Sequence, residues 1–244
     1  MRLPGQSVDA SLQDFVLDKM LMPIVLALVF VILAVMEWFR YLRNTPLMPW
    51  LFTFLALLSV AWATWKVRGA MKIARQMKQG RDGERLVAQY LEHLRKLGFA
   101  VFHDVPNGDS NIDHVLIGPQ GIYSVETKTL SKPERGECRI TVSADGIRLN
   151  GNLLDRNPLI QAKAQARWLY SFFAETGYKP FIQPVVVFPG WFVEPHDRQA
   201  VGVWVLEPKA LEGFIANSGK SIPSEEIRAM ASALTSYVHF QAAA

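Results

Sequence analysis

The run Ile112-Asp113-His114-Val115-Leu116-Ile117, Gly118-Pro119-Gln120-Gly121, Ile122-Tyr123-Ser124-Val125-Glu126-Thr127-Lys128 decides how this chain is read. Two β-rich stretches flank a Gly-Pro turn, which predicts an antiparallel hairpin. Glu126 and Lys128 are two residues apart on one strand, so their side chains project from the same face. Asp113 lies on the partner strand, and the turn at 118–121 brings the two strands together. Two carboxylates and one ammonium then converge. Such a pair suits Mg²⁺, which keeps several waters and seldom takes an all-protein cage. A lysine beside the metal can orient an attacking water and stabilise charge developing on phosphorus. The bland reading is a solvated Glu-x-Lys pair on a strand. Two features weigh against it. Asp113 and Glu126 flank strongly apolar runs, where a buried carboxylate needs a partner, and further polar residues stand in unexpected places: Glu84 opens an apolar helix face and Gln161 opens another helix.

Outward from the hairpin, the spacing of Leu86, Val87, Tyr90, Leu91 and Leu94 predicts a helix with one apolar face. The helical stretch covers about 67–97, with Gly80 and Gly83 expected to break it and Gly98 to stop it. A short strand is expected at 100–102 and a turn-rich loop at 105–111. Beyond the hairpin come a small second hairpin (140–142 and 146–149), a helix over 159–176 and a strand over 184–188. That strand is apolar throughout and fits burial on both faces. A strand over 201–206, a helix over 208–216 and a closing helix over 224–240 complete an α/β pattern: a mixed β-sheet flanked by helices.

The rest of the composition is regional. The chain has 244 residues, half of them apolar, and a formal net charge of +4; its mean hydropathy is +0.12. Disordered and collagen-like classes are excluded, and a single cysteine, Cys138, excludes a disulfide scaffold or a multi-thiolate zinc site. The apolar excess concentrates in two uncharged runs, predicting a transmembrane helical hairpin over about 20–39 and 45–65. Trp38, Tyr41, Trp50, Trp62 and Trp65 sit near the run ends, as interfacial aromatics do. Residues 66–81 hold six basic residues and no acid, whereas 82–244 hold 16 basic against 18 acidic residues. The basic excess borders the second apolar run, and the positive-inside rule then places the amino terminus and the carboxy-terminal part in the cytoplasm. The expected organisation is a cytoplasmic segment at 1–19, the hairpin at 20–65, a basic juxtamembrane helix at 66–79 and a domain at 80–244. The location implied is a bacterial-type inner membrane, crossed more than once.

Gly80–Tyr90, Asn111–Thr129 and Asn157–Ala162 together resemble the nuclease-related (NERD) domain, with the motifs in the right order over about residues 80–177. That family is placed in the PD-(D/E)xK nuclease superfamily, and the resemblance implies a restriction-endonuclease-like core. It implies Asp113 and Glu126 as metal-binding carboxylates, Lys128 as the catalytic lysine, Glu84 as a further metal or water contact, and Gln161 as the glutamine near the site. The motif aspartate stands in Ile-Asp-His rather than a literal Pro-Asp. The implied activity is Mg²⁺-dependent hydrolysis of DNA phosphodiester bonds, with Mn²⁺ as an alternative ion and RNA left open as a substrate.

Two other readings stand beside it. One is a nucleic-acid-binding or scaffolding module without turnover. The other is a membrane-perturbing effector whose helices form a homo-oligomer, triggered by the cytoplasmic domain. Partners expected are DNA and a bilayer with anionic headgroups. A domain of slightly negative charge needs a local basic strip to meet DNA; candidates are Arg95, Lys96, Lys132, Arg135, Arg139, Lys163 and Arg167. His103 and His114 are expected to be structural hydrogen-bonders, and Trp168, Tyr170, Phe172 and Phe173 to be core residues.

Overall fold

In a computed structural model, residues 2–43, 48–108, 110–132, 138–218 and 221–243 are described. The expected start of the second apolar span at Thr45, and Arg135 of the basic strip, lie outside them. The chain divides into two units, one formed by Ser7–Gln79 and the other by Met1–Gln6 with Gly80–Ala244.

Within Ser7–Gln79 the helices are α1 (Gln6–Val16), a π-helical turn (Leu17–Leu21), α2 (Met22–Tyr41) and the first part of α3 (Pro49–Glu92). Residues 6–21, leading into the first apolar run, are helical. Both long helices are apolar and long enough to cross a membrane, and only 22% and 17% of their apolar windows is buried. A core helix of a soluble domain would bury far more. The side that α2 and α3 do bury carries small residues, Ala27, Ala34, Ala56 and Ala63, which let backbones approach closely. Trp38 clamps one end: its indole Nε1–H donates to Thr53 Oγ1 at 2.8 Å, and its ring meets Trp50 edge-on at 5.0 Å.

α3 runs unbroken through Gly80 and Gly83, contrary to the expected helix break there. Glycine weakens a helix by only about 1 kcal/mol, and at Gly83 tertiary contact requires it. A Cβ there would lie 1.8 Å from Thr129 Oγ1 and 2.9 Å from Thr129 Cβ, whereas one at Gly80 would meet nothing within 4 Å.

In the second unit, β1 (Ala100–Asn107), β2 (Ser110–Gly118), β3 (Gly121–Thr127), β7 (Ile182–Val187) and β9 (Trp204–Leu206) form one sheet in the order β1-β2-β3-β7-β9. β1–β2–β3 are antiparallel, while β7 runs parallel to β3 and β9 parallel to β7. The sheet is therefore mixed. β1 continues through the segment expected to be a loop, Pro106 included, because β1 is an edge strand where proline's missing N–H costs no ladder bond. A smaller sheet, in the order β6-β5-β4-β8, comprises β4 (Arg139–Ser143), β5 (Gly146–Leu149), β6 (Asn152–Leu153) and β8 (Phe192–Val193).

Period-two alternation sorts the large sheet's side chains onto two faces. Val115, Ile117 and Ile122 pack with Leu169 and Phe173 of α4 (Pro158–Glu175) and with Leu234 of α7 (Ser224–Ala243). Leu116, Tyr123 and Val125 pack on the opposite face with Val87 and Leu91 of α3. Trp168 and Phe172 border the first cluster and Phe173 is inside it, but Tyr170 is exposed. Val201, expected to open a strand over 201–206, instead closes a single helical turn, α5 (Arg198–Val201), which the Asp197 side chain caps. The expected helix over 208–216 is a 3₁₀ turn (Pro208–Ala210) followed by α6 (Leu211–Ala216).

Candidate active site

The register of the central hairpin places the polar residues. His114 pairs with Val125 and Gly118 with Gly121, so the next step outward sets Asp113 beside Glu126 at the open end of the hairpin. β3 ends at Thr127, and its C-terminal end extends one residue further through the Lys128 amide, which donates to Val187 O at 2.9 Å. The carboxyl ends of parallel strands are where open α/β sheets put their sites.

Glu126 is the hub. It is only 3% exposed, yet three donors converge on its carboxylate. Lys128 Nζ and Gln161 Nε2 donate to Oε1 at 2.6 and 2.7 Å, and Gln165 Nε2 donates to Oε2 at 2.6 Å. Lys128 Nζ also donates to Gln161 Oε1 at 2.9 Å. α4 delivers both amides from one face, since Gln161 and Gln165 are four residues apart. The Asn157 cap, whose side chain accepts from Leu159 N, fixes where that face begins. Gln161 lies at the exposed rim and Gln165 in the interior.

Asp113 Oδ2 accepts the Thr127 backbone N–H at 2.6 Å. Burial, first, and then the charges of Glu126 and Glu84 push the Asp113 carboxyl well above the usual carboxylate range; the Thr127 amide and Lys128 only partly offset them. Glu84, on α3, thus acts on Asp113 through its charge. The structure therefore brings Asp113, Glu126, Lys128 and Gln161 together, with Glu84 as an electrostatic neighbour.

Gln165 and Thr127 were not anticipated. The signal for Gln165 was its i,i+4 relation to Gln161. Thr127 contributes a backbone amide, which has no residue signature. Behind the hairpin lies a further polar file: Glu92 Oε1 meets His103 Nε2 at 3.0 Å, His103 Nδ1 meets His114 Nδ1 at 2.8 Å, and His114 Nε2 lies 3.4 Å from Thr127 Oγ1. Burial holds both imidazoles below their ordinary pKa, His114 far below, and at His103 it outweighs the Glu92 carboxylate. Both histidines are hydrogen-bonders, as expected. Asp104, adjacent to His103, was also missed; it is buried at a left-handed φ of 52° and accepts from Asn111 Nδ2 at 2.9 Å.

Would these residues fit a divalent cation? Among the described residues no three His, Cys, Asp or Glu side chains form a group that could hold one, so the protein offers two carboxylates at most. That donor set suits Mg²⁺ with its retained waters, and is too sparse for a structural zinc site. With the Glu126 charge beside it and only a partial offset from Lys128, Asp113 is short of positive charge. Gln165 Oε1 is a buried acceptor without a donor among the described residues. A bound cation with its waters would relieve each of these.

The expected basic strip is partly spent on the protein itself. Arg95 is held by Glu92 at 2.7 Å and by Val101 O at 2.7 Å, and Arg139 by Glu194 at 2.8 Å. Lys163 and Arg167 are exposed on α4. No curated protein and no solved structure matches the chain. Residues 79–189, the stretch that carries every side chain of the site, match the family model of NERD, the nuclease-related domain.

Proposed function

We propose that this chain is a membrane-anchored, Mg²⁺-dependent nuclease that hydrolyses DNA phosphodiester bonds, with Asp113 and Glu126 as metal ligands and Lys128 as the catalytic lysine. The observation that carries the reading is the convergence of Lys128, Gln161 and Gln165 on the Glu126 carboxylate beside Asp113, inside the nuclease-related match. Mg²⁺ at this pair would supply positive charge to a scissile phosphate and acidify the attacking water. The chain's own residues do the remainder. Gln161 and Gln165 fix the Glu126 carboxylate from the α4 side, and the Thr127 amide fixes Asp113, so both oxygens are oriented before substrate arrives. Lys128 Nζ is the mobile donor, free to exchange Glu126 for a phosphate oxygen or a water. Glu84 adds negative charge that strengthens cation binding. The two apolar helices serve as the anchor, with the domain in the cytoplasm on the positive-inside rule.

The test is cleavage of plasmid DNA and of RNA by the full chain with Mg²⁺, with and without chelator. Chelator-sensitive cleavage that disappears in folded Lys128→Ala and Asp113→Ala variants supports the reading. Cleavage unchanged in both variants overturns the site, and nucleic-acid binding without turnover points to the scaffolding reading.

A further inference from the structure

Within Ser7–Gln79 a cavity of about 580 Å³ opens between the end of α1 and the α3 segment 65–73. Its apolar wall includes Phe15 and Trp65, and its rim carries Lys19, Lys66 and Arg68, with no acidic residue in the lining. The Lys66 ammonium lies 6.0 Å from the rings of both Trp62 and Trp65, which holds a flexible cation near the cavity mouth. Arg68 also lines a second cavity, of about 360 Å³, built from α2 and α3 residues including Ile24, Ala27, Val60 and Ala63. Arg68 therefore stands where a cationic cavity meets an apolar groove.

We propose that this pair of cavities is a discrete binding site for an anionic phospholipid, its headgroup phosphate among Lys19, Lys66 and Arg68 and an acyl chain along the Ala27–Ala63 groove. The proposal rests on the membrane-anchor reading. A phosphate ion lacks the chain that the groove takes. A zwitterionic lipid brings an ammonium that three cations repel. An anionic phospholipid matches both halves at once. The site is distinct from the diffuse attraction expected of any basic border, because Lys72, Arg75 and Lys78 on the same helix line neither cavity. Gly69 lines the cationic cavity, and a Cβ there meets nothing within 4 Å, so a larger side chain can occupy the space without displacing the helix.

The experiment reconstitutes the full chain in phosphatidylcholine vesicles containing trace phosphatidylglycerol with brominated chains, and reads tryptophan quenching, with vesicle flotation as the control for insertion. Four proteins are compared: wild type; Lys19→Gln/Lys66→Gln/Arg68→Gln; Lys72→Gln/Arg75→Gln/Lys78→Gln; and Gly69→Leu. Wild type and the second triple variant should prefer the anionic lipid over brominated phosphatidylcholine, and the first triple variant should lose that preference by about tenfold or more. Gly69→Leu should lose it too, with every charge intact. Equal losses in the two triple variants, or no loss in Gly69→Leu, would leave only diffuse attraction and overturn the site. Displacement of the lipid by a short DNA duplex would reassign the cations to nucleic acid. Failure of the wild type to float with vesicles overturns the anchor and the site together; flotation without lipid preference overturns the site alone.

Discussion

Gly80 and Gly83 lie three residues apart on one helix and should respond to the same substitution with opposite sign. Alanine in a helix interior is favoured over glycine by about 1 kcal/mol. At Gly80 nothing opposes that gain, so Gly80→Ala should stabilise the protein by about that amount. At Gly83 the new methyl would lie 1.8 Å from Thr129 Oγ1 and 2.9 Å from Thr129 Cβ. Turning the Thr129 side chain removes the first clash but not the second, so backbone must give way. Overpacking of this kind costs about 1–3 kcal/mol. The helix preference is common to both variants and cancels in their difference, which leaves Gly83→Ala about 1–3 kcal/mol below Gly80→Ala. For a domain of this size the gap corresponds to roughly 2–4 °C in Tm per kcal/mol. Thermal unfolding of the full chain in nonionic detergent, followed by tryptophan fluorescence, measures it. Thr129 follows Lys128, so Gly83→Ala should also slow cleavage while Gly80→Ala leaves it unchanged. Equal stabilisation by the two substitutions would refute the close contact between Gly83 and Thr129.

Asp113→Asn keeps an acceptor for the Thr127 amide and removes a charge that burial, Glu126 and Glu84 all oppose. It should raise stability without metal by about 1 kcal/mol while abolishing cleavage, the trade expected of a functional carboxylate; lower stability in urea unfolding would count against it. Mg²⁺ at about 100 times its dissociation constant should stabilise wild type by about 2.7 kcal/mol and leave Asp113→Asn unmoved; absence of a shift in wild type removes the ion from the site. The histidines give a pH dependence of definite sign. Both have native pKa values held down by burial, so below about pH 6.5 the unfolded chain takes up protons that the native protein refuses. Stability therefore falls as pH drops through that value, with a slope approaching about 1.4 kcal/mol per pH unit for His114 and a further contribution of the same sign from His103. Asp113, whose native pKa is raised, acts in the opposite sense, so the measurement belongs in the Asp113→Asn background. There His114→Gln should flatten the slope, and an unchanged slope would show that His114 is charged in the native state.

The hairpin was legible because a period of two and a Gly-Pro turn are local signals, and from them followed the meeting of Asp113, Glu126 and Lys128. Gly80 and Gly83 misled for the opposite reason: the partner that explains Gly83, Thr129, is distant in the chain. Pro106 looked like a loop marker because its place on an edge strand depends on which strand pairs where. The smaller sheet joins Arg139 and Ile140 to Phe192 and Val193, a non-local pairing of a two-residue strand that no window of sequence can display. At the site, side chains with distinctive chemistry were found, while the Thr127 amide and the second glutamine were not.

The file from Glu92 to Thr127 carries a consequence for hydrogen-bond direction. An ionised carboxylate only accepts, so Glu92 obliges His103 to present its proton on Nε2. In a neutral ring that leaves Nδ1 as an acceptor, which obliges His114 to protonate Nδ1 and to offer Nε2 as an acceptor in turn. The Thr127 hydroxyl is then left to donate. Glu92 is about half exposed, so one carboxylate at the surface sets the tautomer of two interior rings and orients a hydroxyl on the very residue whose amide holds Asp113. Nitrogen-15 shifts of the two imidazoles would read that message, and Glu92→Gln, able to donate as well as accept, would scramble it.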